Sequence, residues 1–167
     1  MVMAMAMRRA AAYALASLLL GGCAQLETRP DRETEFDLAG RLAARYGEES
    51  FTGNIAWRHA RDFDEMLITT PLGQGVARIV REGDQVTLTT AEPREYHAAD
   101  AESLTQQVLG FRLPLGGLAE WVRGRPSPDL EQRGWKIEYQ DYAGELPSRL
   151  RLLYPGIELR VIISRWK

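Results

Sequence analysis

An alternation of apolar and polar residues with a period of two dominates the chain from about residue 35 onward. In residues 51–58, Phe51, Ile55 and Trp57 fall on one face of an extended segment, and polar residues occupy the other face. About nine segments of this kind occur, separated by short turns such as Pro-Gly at 155–156. Because strands joined by tight turns pair antiparallel, the pattern predicts an antiparallel sheet that is large enough to curl.

Helical periodicity interrupts this alternation in the middle of the chain. Asp100 is a good N-cap residue, and Leu104 and Val108 follow it at helical spacing. A second short helix is predicted around Leu118, and residues 125–128, which include two prolines, are interpreted as a linker. We therefore predict an α+β domain, mainly antiparallel β, with two helices packed over one face of the sheet.

The first 22 residues have the organisation of a secretory signal peptide. Two arginines precede an apolar run of 11 residues, which is short of the roughly 20 that a transmembrane helix needs. The Leu-Gly-Gly-Cys sequence at 20–23 is similar to the bacterial lipoprotein box, in which the cysteine is acylated and becomes the mature N-terminus. Cys23 is the only cysteine of the chain, so we predict that it is lipidated. The alternative is an ordinary signal peptide with an incidental cysteine.

These features predict three segments: a signal peptide at 1–22, a lipidated N-terminus and tether at 23–35, and a folded domain at 36–167. Several acyl chains on the cysteine would anchor the protein firmly, since one chain alone gives marginal binding. Ala24 follows the cysteine, in place of the Asp that marks inner-membrane retention in enterobacteria-like systems. We therefore expect a lipid-anchored protein on the periplasmic face of the outer membrane.

The residues that most enzyme and metal-site chemistries require are scarce. One cysteine and two histidines give no disulfide framework and no multi-histidine metal centre. The net charge of −2 gives no reason to expect nucleic-acid binding. No nucleophile, zinc-protease or phosphate-loop motif occurs, so we predict no catalytic residues, no metal and no cofactor. His59 is interpreted as a solvated turn residue after a strand end, and His97 as a surface residue.

A leucine stands at the tip of a turn that Pro71 and Gly73 bound. Turns normally present polar residues, and Leu72 has no neighbour in the turn to pack against. A single exposed leucine is common in soluble proteins. On a membrane-anchored protein, however, the same residue could enter a bilayer or contact a lipid.

The apolar faces of the predicted sheet and helices allow two kinds of interior. Tryptophans at 57, 121, 135 and 166 could belong to a packed core, which is the usual position of such residues. They could instead line an apolar cavity for acyl chains beneath a helical lid. Periodicity alone leaves both interiors open.

Short motifs that follow in order along almost the whole mature chain resemble those of one known family. They are Gly40-Arg41-Leu42, Gly53-x-Ile55-x-Trp57, Pro71-Leu72-Gly73, Leu113-Pro114-Leu115, Leu118-x-x-Trp121-Val122, Gly134-Trp135-x-Ile137, Leu146-Pro147 and the final Trp166. On these residues the chain resembles the LolB family of outer-membrane lipoprotein receptors. The resemblance implies a strongly curved, unclosed half β-barrel of the LolA/LolB type, with helices covering its mouth.

The resemblance also implies a function without covalent chemistry. Such a receptor takes an acylated lipoprotein from a LolA-like periplasmic carrier and inserts it into the outer membrane. The loop of Pro71, Leu72 and Gly73 would act in insertion, and the Cys23 anchor would hold the protein to outer-membrane lipid. We expect a monomer. The candidates for the acyl-chain cavity are Ile55, Trp57, Ile68, Leu104, Val108, Leu118, Trp121, Trp135, Ile137, Leu150, Leu152 and Val161.

Two functions of other classes stay open on the sequence. One is a structural envelope lipoprotein whose packed β-rich domain binds a partner protein. The other is a periplasmic lipid-processing enzyme, because catalytic residues can be scattered along a chain. The interior discriminates among the three: an apolar cavity favours transfer, a filled core favours the structural function, and convergent polar groups in a cleft favour the enzyme.

Overall fold

Nine antiparallel strands form a single sheet in the computed structural model, which describes residues 33–92, 95–98, 100–109 and 112–167. The strands are β1 (Phe36–Tyr46), β2 (Glu49–Ala60), β3 (Phe63–Thr69), β4 (Gly75–Glu82), β5 (Gln85–Thr90), β6 (Glu95–Ala98), β7 (Lys136–Ala143), β8 (Leu146–Tyr154) and β9 (Ile157–Trp166). Their order in the sheet is β6-β5-β4-β3-β2-β1-β9-β8-β7. The predicted signal peptide and Cys23 lie outside the described residues.

Two sets of consecutive hairpins meet at the centre of the sheet. Strands β1 to β6 form one meander and β7 to β9 form another, and the long-range pairing of β1 with β9 joins them. This pairing has a bulge between Ala39 and Gly40. A β-carbon on Gly40 would lie 2.1 Å from the carbonyl oxygen of Ile162, so the close approach of β1 and β9 requires glycine. The antiparallel sheet predicted from the alternation is confirmed.

The sheet does not close, since β6 and β7 are its two edges and no described strand pairs with both. Three helices connect these edges: α1 (Ala101–Leu109), α2 (Leu115–Val122) and α3 (Pro128–Gln132). Helix α1 packs against β5 and β6, whereas α2 packs against β8. The helices therefore cross the buried face of the sheet from one flank to the other, and the predicted unclosed α+β fold is confirmed.

The helical region differs from the prediction in one element. Asp100 caps α1 as expected, because its carboxylate accepts a hydrogen bond of 2.7 Å from the backbone N–H of Ser103. The interpretation of 125–128 as a linker is wrong at its last residue, because Pro128 begins a third helix. Proline is well suited to the first turn of a helix, and Leu130, fully buried, fixes this short helix to the core.

The antiparallel order brings alternate turns to the same end of the sheet. We call the end with the β1–β2 turn at 47–48, the β3–β4 loop at 70–74 and the β8–β9 turn at 155–156 the upper end. The β2–β3, β4–β5 and β7–β8 turns lie at the lower end. None of the helices in the described ranges has the length and apolar character that a bilayer-spanning helix needs.

Candidate functional site

An apolar cavity of about 340 Å³ lies between the buried face of the sheet and the helical region. Six of the predicted cavity residues line it: Ile55, Trp57, Ile68, Leu118, Leu152 and Val161. Twelve further residues complete the lining: Leu42, Ala44, Tyr46, Glu49, Ser50, Phe51, Met66, Val76, Ala77, Leu113, Val122 and Leu159. Tyr46, Glu49 and Ser50 flank the β1–β2 turn, so the cavity extends to the upper end of the sheet.

Strand register explains why these side chains share one wall. Residues directly opposite each other on paired strands project to the same face, and Ile55 pairs with Ile68, which in turn pairs with Ala77. On the other flank, Leu152 pairs with Leu159. A small residue such as Ala77 beside a large one leaves space that the helices above do not fill. The sheet therefore forms a wall of aliphatic and aromatic groups with a void over it.

Five predicted cavity residues do not line the cavity. Leu104, Trp121 and Leu150 are fully buried in the packed core. Trp135 is buried immediately before β7 and stacks on Tyr154, and Ile137 is partly buried against the core. The side chain of Val108 lies outside the part of the chain that the structure describes. Contact of these residues with an acyl chain stays a prediction.

Several of the residues that the sequence analysis missed obey the same alternation as those it found. Leu42, Met66 and Leu159 lie at inward positions of strands β1, β3 and β9. The alternation therefore could have identified them as inward-facing. Whether an inward residue lines the cavity or belongs to the packed core depends on its position along the strand. That position is set by strand register and by the helices that pack over the sheet.

Trp57 is held in the cavity wall by a buried carboxylate. Its indole N–H donates a hydrogen bond of 2.8 Å to Asp64, which is 1% exposed. The same carboxylate lies 2.6 Å from Nδ1 of His59 and accepts a 2.6 Å hydrogen bond from Nε of Arg81. Burial by itself raises the pKa of Asp64, but the hydrogen bonds from these three side chains outweigh it, so the pKa lies below the usual aspartate value.

His59 therefore does not occupy the solvated turn that we predicted. It lies on β2, is buried, and its ring stacks on Phe36 with 4.9 Å between centroids. Strand β2 continues to Ala60, and the two-residue turn at 61–62 brings Asp64 opposite His59 on β3. His97 is exposed at the surface, as predicted.

A second ionic contact ties helix α2 to the start of the sheet. Arg123, directly after α2, donates to the carboxylate of Glu35 at 2.7 Å and to the carbonyl of Ala119 at 3.0 Å. Its guanidinium also pairs with Glu120 and lies 5.6 Å from the centre of the Phe36 ring. Arg123 holds the pKa of Glu35 below its usual range. The helix that contributes Leu118 and Val122 to the cavity is thus fixed to the segment that enters β1.

The β3–β4 loop holds Leu72 away from the protein, with 90% of the residue exposed. Gly73 donates to the carbonyl of Thr70 at 2.9 Å, and Thr70 donates to the carbonyl of Gln74 at 2.8 Å. The side-chain amide of Asn54 donates to the same Thr70 carbonyl at 3.1 Å. Gly73 has a φ of +87°, a backbone conformation that glycine adopts without strain. The predicted exposed tip is therefore a preformed feature of the upper end.

Comparison with known proteins identifies one family. The family model described as outer membrane lipoprotein LolB matches residues 34–166. The chain is 36% identical to an outer-membrane lipoprotein LolB of Thiobacillus denitrificans, an alignment that covers 96% of this chain and 98% of the relative. It is 38% identical to the LolB of Nitrosomonas europaea, over 79% of this chain and 72% of the relative.

A solved structure shows the same fold at low sequence identity. The crystal structure of a LolA superfamily protein from Nitrosomonas europaea superposes with a TM-score of 0.50 and 10% identity, over 82% of this chain and 86% of the other. The family model matches residues 34–166, and the Thiobacillus relative aligns over almost the whole chain. The fold agrees with this family assignment. The chain belongs to the LolB family of outer-membrane lipoproteins.

Proposed function

We propose that this protein receives acylated lipoproteins from a LolA-like periplasmic carrier and inserts them into the outer membrane, holding their acyl chains in the cavity. The cavity beneath α2 is the observation on which this proposal depends, because a packed interior would leave no place for an acyl chain. The described residues that line it are predominantly apolar and include no convergent set of nucleophile, base and oxyanion donors, which supports transfer over lipid-processing catalysis.

Energetics support a direct exchange between carrier and receptor. Each methylene removed from water is worth about 0.8 kcal/mol, so a multiply acylated substrate leaves its carrier only when comparable apolar surface is offered at once. A cavity of about 340 Å³ is near the lower limit of ligand pockets, which span about 300 to 1,000 Å³. We infer that helix α2 moves outward when several chains enter. Mouth-to-mouth alignment of two such half-barrels would keep the chains out of water during transfer.

Membrane attachment completes the proposal. Acylation of Cys23 would place the domain at the periplasmic face of the outer membrane, with the segment at 23–35 as its tether. The protein would act there as a monomer. Labelling with radioactive palmitate in the producing bacterium tests this anchor. The wild-type chain should incorporate label and the Cys23→Ala variant should not, whereas equal labelling of both would exclude Cys23 as the acylation site.

A charge placed in the cavity tests acyl-chain binding. Ile55→Lys puts an ammonium group among apolar side chains, so acceptance of lipoprotein from the carrier should fall at least tenfold, because burying an unpaired charge costs more than about 1.4 kcal/mol. The assay mixes full-length protein with carrier-bound lipoprotein and measures which partner holds the cargo.

Ala56→Lys provides the matched control for this experiment. Ala56 is the next residue of β2 and points to the exposed face, so the same charge should leave acceptance unchanged. Circular dichroism and thermal melting establish that both variants fold. Normal acceptance by folded Ile55→Lys would contradict the cavity as the acyl-chain site and would favour the structural-lipoprotein function.

A further inference from the structure

We propose that Tyr46 and Tyr154 form a membrane-contact rim at the upper end of the sheet, which meets the headgroup region of a phospholipid bilayer alongside the Leu72 loop. The inference rests on the proposed insertion function, and it adds a second contact surface to the single leucine of the β3–β4 loop. The two residues, together with the turns that follow them, are called the tyrosine rim below.

The strand register places the two tyrosines beside each other. Tyr46 ends β1 and Tyr154 ends β8, and both pair with Ile157, the first residue of β9. Residues opposite each other on paired strands project to one face, so the two tyrosines flank Ile157 on the same face. Tyr46 is 42% exposed and Tyr154 is 39% exposed, whereas Ile157 between them is buried.

The tyrosine rim is held by contacts on both sides. The backbone N–H of Gly47 donates a 3.1 Å hydrogen bond to the carbonyl of Gly156, which ties the β1–β2 and β8–β9 turns together. The Tyr154 ring stacks on the buried Trp135 ring with 4.9 Å between centroids. Two partly exposed aromatic rings are thus presented by a supported surface.

Other exposed apolar residues are distributed differently. Leu72, the most exposed of them, shares the upper end with the tyrosine rim. Leu67 and Ile162 lie within strands, away from the turns, and Tyr142 lies beside the lower β7–β8 turn. Tyr46 also lines the cavity, so the rim is continuous with the path that an acyl chain would follow outward.

The chemistry of this end suits the bilayer interface more than its hydrocarbon core. Tyrosine combines an apolar ring with a hydroxyl that remains hydrated, and it is enriched where membrane meets water. Glu48 lies in the neighbouring β1–β2 turn and Glu49 directly follows it, whereas Lys136, the first residue of β7, pairs with Leu153, the residue before Tyr154. Burying these charges in hydrocarbon is costly, so the contact stays at headgroup depth while Leu72 enters further.

Quenching of tryptophan fluorescence by brominated lipid tests the contact without any cargo. Full-length lipidated protein is reconstituted into vesicles of phosphatidylethanolamine and phosphatidylglycerol whose acyl chains are brominated near the headgroup. Tyr154→Trp and Tyr46→Trp should each add emission that the bromolipid quenches. Tyr142→Trp, at a residue 52% exposed at the lower end, should add emission that is not quenched.

Three results would overturn the tyrosine rim. The first is equal quenching of the Tyr142→Trp and Tyr154→Trp probes, and the second is absence of quenching at both upper positions. The third is slower acceptance of lipoprotein from the carrier by Tyr154→Ser when the probes show no lipid contact, because that result would assign this surface to carrier binding. We expect Tyr154→Ser to lower insertion into vesicles severalfold and Tyr154→Trp to retain it. The quenching experiment uses no cargo, so its outcome does not depend on whether the wild-type protein transfers lipoproteins. Transfer by the wild-type protein is likewise measured without the tryptophan probes, so the two proposals are tested separately.

Discussion

At the scale of single residues, Asp64 has the largest influence on the geometry of the cavity wall. It is buried and it is the common partner of Trp57, His59 and Arg81. A buried carboxylate is costly unless its lone pairs are satisfied, and here three side chains from β2 and β4 satisfy them. Trp57 is therefore fixed by a polar contact behind the wall while its ring faces the apolar cavity.

Asp64→Asn should destabilise the protein by about 3 kcal/mol at neutral pH, because it removes the charge that Arg81 and His59 share in a buried site. The stability conferred by the Asp64 carboxylate should also depend on pH. Its pKa in the folded protein lies below its value in the unfolded chain, so the contribution is complete above about pH 4 and is lost as the pH falls through the folded-state value. Denaturant unfolding of both proteins over an acid-to-neutral pH series measures the difference.

Asp62→Asn is the control for this series, because Asp62 lies in the exposed β2–β3 turn. Its unfolding curves should match those of the wild-type protein. If the stability difference between wild-type and Asp64→Asn stays constant down to low pH, the carboxylate is not the stabilising species.

At the scale of elements, helix α2 contributes Leu118 and Val122 to the cavity wall, and it is the element that we propose moves outward when acyl chains enter. Its apolar residues face the sheet, and beyond its C-terminus the ionic contacts of Arg123 with Glu35 and Glu120 hold it in place. Because these contacts lie at one end only, their loss should free the helix without removing its apolar packing.

Arg123→Gln should increase hydrogen exchange of the α2 backbone amides by at least about tenfold, since hydrogen bonds to charged groups contribute about 1.5–3 kcal/mol when they are removed. Arg125→Gln is the matched control, because the Arg125 side chain is largely exposed and reaches Glu120 only at 3.8 Å. Exchange measured by mass spectrometry on peptides that cover residues 115–122 reports the change. Unchanged protection in Arg123→Gln would exclude the Glu35 contact as the restraint on α2.

The secondary-structure elements were the part of the structure that could best be predicted from the sequence. The alternation in residues 51–58 identified β2 and its inward face, since a period of two has few other solutions in a chain with short turns. It could not distinguish Leu150 from Leu152, which share one face of β8, although only Leu152 reaches the cavity. The interpretation of His59 is wrong for a different reason: β2 continues to Ala60 and the turn falls at 61–62, which keeps His59 on the strand opposite Asp64.

At the scale of the whole molecule, the candidate cavity and the Leu72 loop are two separate sites. The cavity proposed to hold acyl chains lies between the sheet and α2, and the Leu72 loop extends from the same end at which the cavity reaches the surface. Ile68 and Val76, on either side of the loop, both line the cavity. Full burial of one leucine side chain is worth about 1.5–3 kcal/mol, which is too little to anchor the protein but enough to direct its mouth toward the bilayer.

Leu72→Glu should therefore fold, accept lipoprotein from the carrier and insert it poorly, because a carboxylate resists transfer from water into lipid. An insertion rate at least tenfold below the wild-type rate is expected, and Leu72→Phe should retain most of the insertion. Since Leu72 is exposed and has no neighbour within the packed core, thermal melting of both variants should match that of the wild-type protein.

The most direct measurement is a two-step assay that scores acceptance from the carrier and insertion into liposomes separately for Leu72→Glu and Ile55→Lys. We predict opposite defects: Leu72→Glu holds cargo that it cannot deliver, whereas Ile55→Lys accepts little cargo but delivers to liposomes the fraction that it holds. Equal loss of both steps in Leu72→Glu, or full insertion by that variant, would contradict the separation of an acyl-chain cavity from a membrane-insertion loop.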